Sequence, residues 1–159
     1  MGPETPLRLA GPADAGAVTG LIADFRDFLG ANRPANAEIE ATVSTLIGDR
    51  STEFLLAGDP ETGFAQIRYR LSVWTGNEDA WLEDLFVKPD ARGAGLGRAL
   101  VEASVGRARS RGCSRIQLDC NRDNEAAVRL YESAGFAPVH NRQKWGDTPD
   151  LFYTLPIEA

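Results

Sequence analysis

Apolar residues along this chain change their spacing several times, and each change marks an element. Val18, Leu21, Ile22, Phe25, Phe28 and Leu29 recur at intervals of three and four, which predicts an amphipathic helix from an N-cap at Asp14 to about Gly30. Ile39, Val43, Leu46 and Ile47 repeat that pattern over 37–47, and Leu7 to Ala10 reads as a short strand ahead of both helices. The period then shortens. Segments 53–57 and 64–74 read as strands joined by Gly58-Asp59-Pro60-Glu61-Thr62-Gly63, and Thr75-Gly76-Asn77 supplies turn chemistry before a further strand over 80–87. This succession predicts an antiparallel meander.

In the second half, a helix over 95–111 closes at Gly112, a strand follows over 115–120, and a helix over 124–134 closes at Gly135. Strand, helix and strand in that order predict a right-handed crossover and parallel pairing of the strands that contain Leu82 and Arg115. The tail alternates over 136–143 and 151–157, which predicts a final hairpin across Gly146-Asp147-Thr148-Pro149. The expected class is α/β, with a mixed sheet that is antiparallel first and parallel in the middle, flanked by about four helices. With no internal repeat or linker, the 159 residues read as one domain, long enough to remove roughly 68–70% of the unfolded surface from water.

Composition narrows the function. A net charge of −6 argues against a nucleic-acid binder, and Arg107, Arg109 and Arg111 read as a solvated helix end where cations complement the dipole. No run approaches the ~18 apolar residues of a membrane span, and Met1 to Pro6 carries neither a signal sequence nor a myristoylation pattern, so a cytoplasmic protein is expected. Cys113 and Cys120 flank one predicted strand, ~23 Å apart if extended, and read as reduced thiols. The single histidine, His140, offers no metal cluster and makes a serine-hydrolase triad a poor reading.

Arg92-Gly93-Ala94-Gly95-Leu96-Gly97 runs from the strand ending at Val87 into a helix, a setting in which free backbone N–H groups and permissive glycines suit an anion. Arg98 and Ala99 stand where a P-loop needs lysine and then serine or threonine, and Arg98 stands where the dinucleotide fingerprint needs its last glycine. Taken alone, the glycines also fit a tight strand-to-helix connection. Downstream lies Asn124-Glu125-Ala126-Ala127-Val128-Arg129-Leu130-Tyr131-Glu132-Ser133-Ala134-Gly135-Phe136. Together the two stretches resemble the GNAT superfamily of N-acetyltransferases, and the element order from Leu7 to Ile157 agrees.

The resemblance implies acetyl-CoA as cosubstrate, held where the two central parallel strands splay apart. Backbone groups at Leu85, Phe86 and Val87 would pair with the pantetheine arm as an added strand does. Gly93, Ala94, Gly95, Leu96 and Gly97 would cradle the pyrophosphate, with Arg92 and Arg98 as cations beside it and Asn124 both capping its helix and touching the cofactor arm. Tyr131 matches the family's general acid and Glu83 its general base, with Asp84 orienting the acceptor ammonium or satisfying backbone donors. By simple alternation, Glu83 shares a face with Trp81, Leu85 and Val87, and Asp84 shares the other with Leu82 and Phe86.

A base matters because a lysine-like amine with pKa ~10.4 costs ~4.6 kcal/mol to deprotonate at neutral pH, against about 1 kcal/mol for an α-amine. Acidic Glu78, Asp79, Glu83 and Asp84, with Asp24 and Asp27 on the first helix, point to a small cationic amine or polyamine as acceptor. A protein lysine or N-terminus is the alternative acceptor, and a non-catalytic acyl-CoA-binding module is the alternative class. Exposed edge strands make a homodimer plausible.

Overall fold

The computed structural model describes residues 6–139 and 150–158, whose strands form one seven-stranded sheet. Strand β1 (Leu7–Leu9) is followed by helices α1 (Ala15–Phe28) and α2 (Asn36–Ile47). Then come β2 (Thr52–Ala57), β3 (Gly63–Leu71) and β4 (Glu78–Val87), followed by α3 (Leu96–Ser110), β5 (Arg115–Asn121) and α4 (Glu125–Ser133). The short β6 (Ala137–Pro138) and β7 (Asp150–Pro156) complete the sheet in the spatial order β1-β2-β3-β4-β5-β7-β6. The expected mixed architecture is present: antiparallel from β1 to β4, parallel between β4 and β5, and antiparallel from β5 through β7 to β6.

The sheet separates two apolar clusters. Val18 and Leu21 of α1 and Ile39 and Val43 of α2 pack with Phe54, Phe64 and Phe86 on one face, as the helical spacing predicts. Leu96, Leu100, Val101 and Ala108 of α3, together with Tyr131 of α4, pack on the other face against Ile67, Leu82, Ile116 and Leu118. The crossover through α3 thus covers the face that α1 and α2 leave open.

Three details depart from the sequence reading. Asp14 precedes α1, but its carboxylate accepts from the Gly11 N–H at 2.8 Å and pairs with Arg8 at 2.7 Å instead of capping the helix. Arg107 and Arg111 are not a merely solvated helix end: Arg107 pairs with the largely buried Glu53 at 2.5 Å, and Arg111 with Glu78 at 2.9 Å. The expected final hairpin is present where it is described, Ala137 and Pro138 pairing antiparallel with Thr154 and Tyr153, while residues 140–149, including His140 and the loop at Gly146-Asp147-Thr148-Pro149, lie outside the described residues.

The third departure decides the site. Across the β3–β4 ladder Gln66 pairs with Asp84 and Ile67 with Leu82, which leaves Glu83 as the extra residue of a β-bulge. The bulge reverses the alternation midway along β4. Leu82 therefore faces the α3 cluster, which Leu85 and Val87 also join, whereas Phe86 faces the α1 side. The simple parity that grouped Leu82 with Phe86 fails because one residue was inserted into the strand.

Candidate active site

The β4–β5 ladder stops after Ala80 opposite Ile116 and Trp81 opposite Gln117, so the remainder of β4 has no described partner on that side. A cleft of 680 Å³ opens there. One wall is Leu85, Phe86 and Val87 with Phe25 and Phe28 of α1 and Leu29 just after it, and the other is Asn124, Ala126, Ala127 and Leu130 from the cap and body of α4. Arg92, Gly93, Gly95, Leu96, Gly97 and Arg98 close its end. Gly95 caps α3 with φ of 82°, a left-handed conformation that a β-branched residue resists. Its missing Cβ would point into open space, so a ligand can approach the backbone there.

Cations at this end are partly committed. Arg92 donates from Nε to the Val87 carbonyl at 3.0 Å and lies over the Phe28 ring at 4.6 Å, which braces the end of β4 against α1. Its terminal nitrogens have no partner among the described residues. Arg98 is tied to Glu102 at 3.0 Å and to the Ser133 hydroxyl at 3.0 Å, linking α3 to α4. Asn124 is the N-cap of α4, accepting from the Ala127 N–H at 3.2 Å.

Two successive carboxylates, Glu83 and Asp84, stand at the bulge. Glu83 is exposed, while Asp84 is largely buried and its pKa is pushed up from 3.8 to about 6, first by that burial and then by the charges of Glu83 and Asp119. Burial also raises Asp119, aided by Asp150. Tyr131 is 8% exposed, packs edge-on to Phe136 at 5.9 Å, and has no hydrogen-bond partner among the described residues. Its pKa is raised by burial and by neighbouring Cys120, Asp84 and Asp119, so the phenol holds its proton firmly. Tyr131, Asp84 and Asp119 are thus near enough to influence one another's charge, while Glu83, Asp84 and Tyr131 are not among the residues that line the cleft.

The sequence matches the model of the acetyltransferase (GNAT) family over residues 26–136, more than two thirds of the chain. The chain belongs to the GNAT acetyltransferase family. It is 33% identical over 157 residues to an aminoglycoside N(6')-acetyltransferase type 1 of Stenotrophomonas maltophilia, covering 96% of this chain and 94% of that one. It is 32% identical over 92 residues to the thialysine N-ε-acetyltransferase of Sus scrofa, an alignment spanning 55% of this chain and about half, 54%, of that enzyme. A crystal structure of a candidate acetyltransferase from Arthrobacter sp. FB24 superposes with TM-score 0.79 at 37% identity, over 86% of this chain and 87% of that one. The GNAT cosubstrate is acetyl-CoA, and the cleft with its glycine-rich end is where this chain can accept it.

Of the residues expected from the sequence, Leu85, Phe86, Val87, Arg92, Gly93, Gly95, Leu96, Gly97, Arg98 and Asn124 all line the cleft. Ala94 is exposed and is not among the lining residues. The wider acidic patch is smaller than the sequence implied. Glu78 is paired with Arg111 at 2.9 Å, Asp79 with Arg115 at 2.8 Å, Asp24 with Lys88 at 3.3 Å and Asp27 with Arg26 at 2.9 Å. What the sequence reading missed is the α1 wall, Phe25, Phe28 and Leu29, whose helical spacing marked them simply as core, and Asp119, whose neighbourhood only the sheet order reveals.

Proposed function

We propose that this protein transfers the acetyl group of acetyl-CoA to the primary amine of a small molecule by direct attack in a ternary complex. What supports the reading is the cofactor-sized cleft with its glycine-rich end at the splayed strands, and the position of Asp84 and Tyr131 next in the chain to Leu85 and Leu130, which line it. Backbone N–H groups of residues 93–98 would hold the pyrophosphate, with the free end of Arg92 beside it. Arg98 would contribute its backbone more than its committed guanidinium.

In the transfer, the amine nitrogen bonds to the thioester carbonyl carbon and the carbon–sulfur bond breaks. Asp84 neutralises the arriving ammonium, and Glu83, open to water at the bulge, receives the proton that the amine gives up. Tyr131 donates its proton to the departing sulfur, and holding both substrates in register supplies much of the acceleration. Small amines are favoured over protein termini because two of the relatives are named for the small molecules thialysine and aminoglycosides. The test is a panel of amines incubated with acetyl-CoA and followed by release of free thiol and by mass spectrometry of the amine. Acceptor-dependent thiol and an acetylated amine are expected; CoA-induced stabilisation without either would make the protein a non-catalytic CoA-binding module.

A further inference from the structure

A second hollow, of 420 Å³, is lined by Glu83 together with Arg68, Tyr69, Arg70, Trp81 and Phe152, none of which lines the cofactor cleft. Resting on the acetyl-transfer reading above, we infer that this hollow selects an acceptor that carries a carboxylate in addition to its amine, a linear amino acid and not a polyamine.

The register supplies the argument. Gln66, Arg68 and Arg70 alternate on β3 and so share one sheet face, and they stand opposite Asp84, Trp81 and Asp79 respectively. Trp81 in turn stands beside Gln117 of β5, while Asp119 stands opposite Phe152 of β7. The face is therefore polarised along the strands. Carboxylates of Asp84 and Asp119 lie at the end where the strands splay, Arg68, Trp81 and Gln117 form the next row, and Arg70 stands beyond it opposite Asp79. The Arg68 position is roughly 7 Å along the strand from that of Gln66, which marks the Asp84 row.

Neither cation is held in a close pair, although Arg68 is near enough to Asp49 to help lower that carboxyl's pKa. Arg68 and Arg70 are exposed and make no hydrogen bond or ion pair among the described residues. Asp79, which stands opposite Arg70, is engaged by Arg115 at 2.8 Å and by Thr75 at 2.9 Å. Two unpaired guanidiniums beside the acceptor carboxylates would repel a second ammonium and would attract a carboxylate, which suits their planar donor geometry. Trp81, beside Arg68 in the same row, provides an apolar surface for the methylene stem.

The test uses three amines of similar length: 6-aminohexanoate, about 7 Å from nitrogen to carboxyl carbon when extended, 1,6-diaminohexane, and n-hexylamine. Thiol release from acetyl-CoA is measured with wild type and with an Arg68→Gln, Arg70→Gln double variant, both positions being exposed. The expected result is a kcat/KM at least tenfold higher for 6-aminohexanoate than for either other amine, with that ratio collapsing toward one in the double variant. Equal use of the three amines, or a preference that survives the double substitution, overturns the carboxylate assignment and leaves acetyl transfer standing. Absence of thiol release from all three amines counts against the reaction instead. Calorimetric titration of the CoA-bound protein with the same amines then decides the inference: selective binding of 6-aminohexanoate upholds it, and its lack overturns it.

Discussion

Asp84 tests whether the site carries a charge that the fold would be better without. A carboxylate whose pKa rises from 3.8 to about 6 on folding binds its proton more tightly in the native state, so its ionised form opposes folding. That penalty is absent below the unfolded value, grows between pH 3.8 and about 6, and is fully present above about 6. At ~1.36 kcal/mol per pKa unit it amounts to ~3 kcal/mol at pH 8 and falls to ~1 kcal/mol at pH 4.5. Asp84→Asn keeps the shape and removes the charge. It is expected to raise Tm at pH 8 by ~6–12 °C, at ~2–4 °C per kcal/mol for a chain of this size, and to give a much smaller gain at pH 4.5. The same variant should turn over a cationic acceptor ~10- to 100-fold more slowly, the scale of one lost charge-assisted hydrogen bond. Thermal denaturation of both proteins at the two pH values, with thiol release at pH 8, checks this. An unchanged or lowered Tm at pH 8 would show that Asp84 is held by favourable contacts and is not a strained charge kept for the acceptor.

Gly95→Val forces a β-branched residue into φ of 82° and should abolish CoA-induced thermal stabilisation, which a shift assay with and without CoA reads directly. Tyr131→Phe deletes a hydroxyl that has no described partner, so the fold and CoA affinity should persist while kcat drops ~10²–10⁴-fold; wild-type turnover would return Tyr131 to a packing role. Glu83→Gln should impair a strongly basic acceptor more than a weakly basic one, with partial recovery as rising pH supplies free amine; equal loss with no recovery would assign Glu83 to binding.

The glycine run and the Asn124 to Phe136 stretch located the cleft because their chemistry is local: a positive φ, a helix start and a cap need no distant partner. The order from β2 to β5 was also legible, since the turns between β2, β3 and β4 and the crossover through α3 leave few topologies, whereas the placing of β7 between β5 and β6 was not. The bulge at Glu83 was not, because a single inserted residue looks like ordinary alternation until the opposite strand is known. Ion pairing was hidden for the same reason. Glu78 and Asp79 looked like acceptor ligands in the chain, and only folding brings Arg111 and Arg115 to them. Arg68 and Arg70 carried no motif at all, and their interest comes from what they fail to pair with across the sheet.

The central claim is direct transfer between two substrates bound at one seam, and a matrix of initial rates tests it most directly. Thiol release is measured while acetyl-CoA and an accepted amine are each varied at several fixed levels of the other. Intersecting double-reciprocal lines, with no thiol released before the amine is added, are the predicted result. Parallel lines with a burst of thiol from acetyl-CoA alone would instead mean that a protein side chain is acetylated first, and would contradict the account.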